Sequence, residues 1–211
     1  TSNTYTFDGL NSGTYKIKVR AYNNVNLTTD SSTLSVKTVS LECPSFTITP
    51  EGWALKKTVT ISYPEESTEN KYSIDGGDEQ LYSTALEFTQ SGSVTAIASD
   101  GKNRCQITEN IVIDTTTPTL TISAKKSTSE TSVSSGEWSN ETLKYTLTST
   151  GSNISGVTIK YCVDTENTCT PSTVVTSGTE FALSNTGTYY VRYQGTSGAG
   201  KTNTVASYTA K

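Results

Sequence analysis

Leu10-Asn11-Ser12-Gly13-Thr14-Tyr15-Lys16-Ile17-Lys18-Val19-Arg20-Ala21 is the stretch whose reading decides the fold. Apolar residues end at a Gly-containing turn, and a strict alternation follows. Tyr15, Ile17, Val19 and Ala21 point one way, and Lys16, Lys18 and Arg20 the other. That is the pattern of a strand with one wet face. The same pattern returns as Leu183-Ser184-Asn185-Thr186-Gly187-Thr188-Tyr189-Tyr190-Val191-Arg192-Tyr193. It returns again at 86–98, where Ser91-Gly92-Ser93-Val94 puts Val94 in the place of the tyrosine. Repeats of this kind mark serial structural units. A polar loop follows each copy, at 22–29, 100–104 and 195–201. A last strand is expected after each loop, at 33–38, 106–113 and 203–209.

A second repeat precedes the latter two copies. Gly52-Trp53 stands before an alternating strand expected at 58–63, and Glu137-Trp138 before one expected at 142–147. A further strand is expected in each, at 71–74 and 157–163. Asp75-Gly76-Gly77 is a tight hairpin signal. No stretch carries helical periodicity over 11 or more residues. The reading is therefore all-β, with units at 1–40, 41–114 and 115–211. Thr115-Thr116-Thr117-Pro118 is the linker between the last two, its proline biasing the preceding residue to extended geometry. Two or three strands in 1–40 are too few to bury a sandwich core. They read as the C-terminal part of a module, to be completed by upstream sequence or by chain–chain pairing in trans.

Composition excludes several functions. The 211 residues include 41 Thr and 29 Ser, but no His and no Met. Without His there is no His-based triad and no His-ligated zinc. Sixteen basic against 20 acidic residues, unclustered, make a poor nucleic-acid binder, which needs grouped Lys and Arg for phosphates. No run of about 18 apolar residues is present, so no membrane insertion is expected. The chain opens on Thr1 and carries no basic-then-apolar leader, which suggests an excerpt of a longer polypeptide. Apolar residues are only 32 %, yet 12 Tyr, 4 Phe and 2 Trp argue against disorder. Thr, Tyr and Val suit half-buried pleated surfaces in small two-layer modules.

The Leu-x-x-Gly-Thr-Tyr signature with its alternating strand resembles the E–F corner of fibronectin type III domains, with Tyr15 and Tyr189 as tyrosine-corner residues. Residues 41–211 resemble the bacterial immunoglobulin-like repeats of surface and phage-tail proteins. The segments that carry this are the Trp-then-strand pieces, Tyr72-Ser73-Ile74-Asp75-Gly76-Gly77, Ile113-Asp114-Thr115-Thr116-Thr117-Pro118 and Tyr161-Cys162-Val163-Asp164. The resemblance implies tandem immunoglobulin-like β-sandwiches.

The four cysteines, Cys43, Cys105, Cys162 and Cys169, allow three pairings by sequence alone. On the fold that the resemblance implies, Cys162 and Cys169 bracket a hairpin turn and suit a local bridge. Cys43 and Cys105 fall at one end of a sandwich, within the roughly 4.4–6.8 Å that a disulfide needs. Free buried thiols are the competing reading. Two disulfides imply an oxidising, extracellular setting.

Each remaining candidate has a plainer reading beside it. Trp53 and Trp138 could stack on a sugar, but their shared position argues for a repeated packing role. Asp75, Asp78, Glu79 and Asp100 are spread through turns, which does not suit a glycosidase pair. Asp100 and Asp114 flank one strand at opposite ends and read as solvated turn residues rather than calcium ligands. Lys144 alternates outward, which does not suit an isopeptide bond. Asn26, Asn140 and Asn153 match a short N-glycosylation pattern that is common in a chain so rich in Ser and Thr.

The sequence thus leads to a non-catalytic spacer of an extracellular bacterial surface, secreted or virion protein, with no cofactor. Its working residues are the four cysteines and the linker residues Asp114 and Pro118. The alternative is an adhesion module binding a host glycan or protein.

Overall fold

The opening alternation forms two strands rather than one in the computed structural model, which describes residues 4–151 and 153–211. These are β1 (Gly13–Ile17) and β2 (Arg20–Tyr22), followed by β3 (Thr28–Asp30) and β4 (Leu34–Thr38). β1 pairs antiparallel with β4, Tyr15 opposite Val36 and Ile17 opposite Leu34. β2 pairs with β3, Arg20 opposite Asp30. Val19 N donates to Ser31 Oγ at 3.0 Å, and Ser31 N donates to Val19 O at 2.9 Å, so the two ladders are continuous. Between them Ser32 and Thr33 stand against Lys18 alone. Two residues against one is a β-bulge, and it shifts which side chains of 28–38 stand opposite the face of 13–22. The shared face of Tyr15, Ile17, Val19 and Ala21 is not evenly covered along its length. Tyr15 and Ile17 are half-buried, whereas Val19 is 66 % exposed. Arg20 closes the outer hairpin with a two-pronged contact to Asp30, at 2.6 and 2.9 Å. The Tyr15 hydroxyl donates to Asn11 O, four residues upstream, at 2.9 Å. That is the geometry of a tyrosine corner.

Seven strands follow: β5 (Ser45–Thr49), β6 (Lys57–Ser62), β7 (Glu69–Ile74), β8 (Gln80–Leu81), β9 (Leu86–Phe88), β10 (Gly92–Ser99) and β11 (Arg104–Ile111). They form one sheet in the order β5-β6-β9 and another in the order β11-β10-β7-β8. Val94, Ala96 and Ala98 of β10 are wholly buried, so Val94 replaces the corner tyrosine with a core contact. The expected hairpin at Asp75-Gly76 forms with both residues in the left-handed region, at φ 51° and 71°. Gly77 N closes it on Ile74 O at 2.9 Å. This turn matches the right-handed twist of its strands.

The last eight strands are β12 (Leu120–Lys126), β13 (Ser132–Val133), β14 (Leu143–Ser149), β15 (Val157–Asp164), β16 (Thr173–Val175), β17 (Glu180–Leu183), β18 (Tyr189–Ser197) and β19 (Ala206–Ala210). They build two four-stranded sheets, β13-β12-β14-β17 and β16-β15-β18-β19. Leu143, Tyr145 and Ala124 from one sheet meet Tyr189, Val191, Tyr208 and Ala210 from the other in one buried cluster. Period-two burial along β14 and β18 turns one face of each sheet inward, and the two four-stranded sheets make the immunoglobulin-like sandwich expected. Its core is unusually rich in tyrosine, and each buried hydroxyl needs a partner. The hydroxyls of Tyr145 and Tyr189 bond each other at 2.9 Å, and that of Tyr208 donates to Val133 O at 2.7 Å. Tyr189 is therefore not a corner residue: its hydroxyl turns into the core, where Tyr145 receives it.

Among the described residues no helix is present. The chain gathers into two compact units. One comprises Thr1–Phe46, Ile61–Ser83 and Val94–Glu109; the other comprises Thr47–Thr60, Thr84–Ser93 and Asn110–Lys211. The candidate site lies wholly within the second.

Candidate functional site

The segment after β11 is short, and its geometry is set by one carboxylate. Asp114 is 1 % exposed, which corrects its reading as a solvated turn residue. A carboxylate is buried only where donors replace its water. Here Oδ1 accepts from Thr116 N at 2.9 Å, an Asx turn of the kind Asp makes two residues on. Oδ2 accepts from Ser155 N at 3.1 Å and from the Ser155 hydroxyl. Ser155 lies in the loop between β14 and β15. The bond to the Ser155 hydroxyl is the largest cause that pulls the Asp114 carboxyl down to about 2, against the cost of burial; the amides of Thr116 and Ser155 add to it.

Both sides of this carboxylate are held. Upstream, Asp114 N donates to Ala54 O at 3.3 Å. Ile113 is clamped by the Ser91 hydroxyl, which accepts from its N–H at 2.9 Å and donates to its C=O at 3.0 Å. Downstream, Asn153 Nδ2 donates to Thr116 O. Thr150 N donates to Thr119 O at 2.9 Å, and Ala199 N to Ser155 Oγ at 3.3 Å. Two glycines make room. A Cβ on Gly198 would lie 2.3 Å from Ser155 O, and one on Gly195 would lie 3.2 Å from the buried Pro118. Asp114, Pro118, Ser155, Gly195 and Gly198 thus form one close-fitting joint between β11 and the sandwich that follows. Its hydrogen bonds tie residues 113–119 to the loops at 150–155 and 195–199.

The other candidates are separate from it. Cys43 is bonded to Cys105, Cα–Cα 5.1 Å, and Cys162 to Cys169, Cα–Cα 6.1 Å. Around the second bridge Asp164 Oδ2 accepts from Thr168 N and Cys169 N, both at 2.8 Å. Arg192 Nη1 donates to Cys169 O at 2.7 Å. Asp100 caps its own turn, accepting from Lys102 N at 2.8 Å and Asn103 N at 2.6 Å; the Asn103 amide is the largest cause that holds its carboxyl near 2. Lys144 is half-buried between Glu130 and Glu180, at 2.7 and 3.4 Å. Among the described residues no group of three or more Cys, Asp or Glu stands close enough to hold a metal ion.

Neither tryptophan is a core residue. Trp53 is 43 % exposed and Trp138 73 %. What the repeat encodes is the loop: Ala54 O accepts from Asp114 N, and Ser139 N donates to Lys211 O at 2.9 Å. In each copy the residue after the tryptophan ties the loop to the end of the last strand, and the indole is left outside.

Sequence reasoning missed Ser155, Asn153, Gly195 and Gly198. One signal was available. An apolar strand end, Ile111-Val112-Ile113, running into Asp114 and three threonines is an Asx-turn pattern at a strand exit.

No family model matches the chain, and no curated protein matches it. Among solved structures the chain is similar to the fibronectin(III)-like modules of CbhA from Clostridium thermocellum, at 13 % identity and a TM-score of 0.36, over 79 % of this chain and 93 % of that one. A likeness at that level does not identify a family.

Proposed function

We propose that this chain is a non-catalytic spacer in an extracellular bacterial surface or secreted protein, or in a virion, holding a distal head at a set distance and direction. Its modules run over 41–114 and 115–211, with 1–40 belonging to a fibronectin type III-like one. The observation that carries this reading is the buried Asp114 carboxylate. A flexible tether would leave a carboxylate in water; a spacer that must keep its direction gains from tying it to Ser155 across the joint. The two disulfides support an oxidising compartment. Hydroxyl-rich wet faces support a surface that stays soluble without a strong net charge.

The test is backbone ¹⁵N relaxation of the whole chain. Amides of 114–119 are expected to be as rigid as those of β12 and β14, with order parameters of about 0.85. In Asp114→Ala the same amides should fall toward about 0.6 while the strands stay unchanged. Wild-type values already near 0.6 in 114–119 would overturn the spacer reading.

A further inference from the structure

Trp138 is the most exposed of the two indoles, yet its loop is firmly built. Gly136 N donates to Thr209 O at 2.8 Å and Glu137 N to Ser134 O at 3.0 Å. Ser134 N reaches Glu137 Oε2 at 2.9 Å, and Thr209 N reaches Ser135 Oγ at 2.9 Å. Ser139 is fixed through Lys211 O and by its own hydroxyl on Glu141 O at 2.8 Å. A rigid loop that presents an indole to water forgoes the burial that normally stabilises this side chain.

A cleft of about 300 Å³ begins at the next residue, Ser139. That is the low end of ligand-pocket size. Leu143, Tyr189 and Ala210 lie at its base, and Asn140, Ser184, Asn185 and Thr186 line its wall. Among the described residues these four side chains have no hydrogen-bond partner. Their amides and hydroxyls can both donate and accept. The two charges present, Glu141 and Lys211, are opposite. Glu141 is already committed to Thr128 N at 2.9 Å and Ser129 N at 3.1 Å.

We propose that the Trp138 loop and this cleft form a subsite for a neutral carbohydrate. The indole face takes the apolar face of a pyranose ring, and Asn140, Ser184, Asn185 and Thr186 take its hydroxyls. A neutral, hydroxyl-dense ligand fits a lining that is polar, unpaired and without net charge. A nucleic acid does not fit, since its phosphates need clustered cations. This goes beyond the spacer reading and stands or falls separately from it.

The test is titration of the whole chain with neutral oligosaccharides (cellopentaose, xylopentaose, maltopentaose and chitopentaose) up to millimolar concentration, read by calorimetry and by ligand-observed NMR, with a glycan array alongside. At least one probe is expected to bind. Trp138→Ala should weaken it about tenfold or more, the loss of one aromatic face. Trp138→Tyr should restore part of it, Asn185→Ala should weaken it less, and Trp53→Ala should leave it unchanged. Urea unfolding of each variant separates loss of the site from loss of the fold. The proposal is overturned if no probe binds the wild type. It is equally overturned if binding survives Trp138→Ala, or if the cleft captures only a protein partner.

Discussion

Asp114→Asn keeps the shape of the side chain and removes its charge. The carboxyl lies at about 2 in the folded chain against an ordinary 3.8. The charged form is therefore favoured in the folded chain, and its hydrogen bonds to Thr116 and Ser155 are of the kind worth about 1.5–3 kcal/mol when the acceptor is charged. Because the folded value is the lower one, this stability is fully present above pH 4 and is lost as pH falls through about 2. Asparagine still accepts from Thr116 N, but its amide cannot accept both the N–H and the hydroxyl of Ser155. The expected loss at pH 7 is therefore about 2 kcal/mol, in line with hydrogen bonds to charged groups. The wild-type advantage over Asp114→Asn should shrink between pH 4 and pH 2. Urea unfolding followed by tryptophan fluorescence is the assay, because Trp53 and Trp138 both belong to the compact unit that contains Asp114. Ser155→Ala completes a double-mutant cycle, with an expected coupling of about 1–2 kcal/mol. A loss below about 0.5 kcal/mol, additive single effects, or an unchanged pH slope in Asp114→Asn would each refute the joint as described.

Three further outcomes are expected. Gly198→Ala places a methyl 2.3 Å from Ser155 O; it should cost about 1–3 kcal/mol in the same urea assay and perturb the Ser155 amide in NMR spectra. Tyr189→Phe leaves the buried Tyr145 hydroxyl without its partner and should cost about 1–3 kcal/mol, while the double change to Phe at 145 and 189 should cost less than the sum of the singles. The bridges span 62 and 7 residues, so chain entropy assigns about 4 kcal/mol to Cys43–Cys105 and about 2 kcal/mol to Cys162–Cys169. Replacing each pair by serine and comparing urea midpoints checks that order.

Strand positions were legible because their signal is local. Period two at 15–21, 142–147 and 189–193 survives into β1, β14 and β18, although β1 stops at Ile17 and β18 runs on to Ser197, into the stretch expected as a loop. What was not legible depends on partners far along the chain. The bulge at Ser32-Thr33 leaves no mark in the pattern of 13–21, because the extra residue lies on the opposing strand. Tyr189 matched a corner signature, but its hydroxyl follows Tyr145, 44 residues away. Asp114 looked like a turn residue because its donors at Ser155 are 41 residues away. The exposure of Trp138 was not legible for a different reason: a position can repeat because its loop must reach Lys211 O, whether or not its side chain is buried.

Burying a carboxylate at a joint is a costly way to join two segments, and an apolar patch would hold them as tightly. The difference is directional. Apolar contact is nearly indifferent to a small rotation, whereas Asp114 must meet one N–H at Oδ1 and an N–H and a hydroxyl at Oδ2 together. A displacement that breaks one bond leaves a buried charge underpaired, so the loop at 155 and the turn at 114–116 are held together more selectively than by apolar contact. Gly198 then limits alternatives by shape, since the Ser155 loop lies against it. The hydroxyl-rich composition fits this arrangement: serine is the shortest side chain that can donate to a carboxylate while its own amide does the same. In a chain one-third Ser and Thr, Ser155 is one such short donor put to structural use.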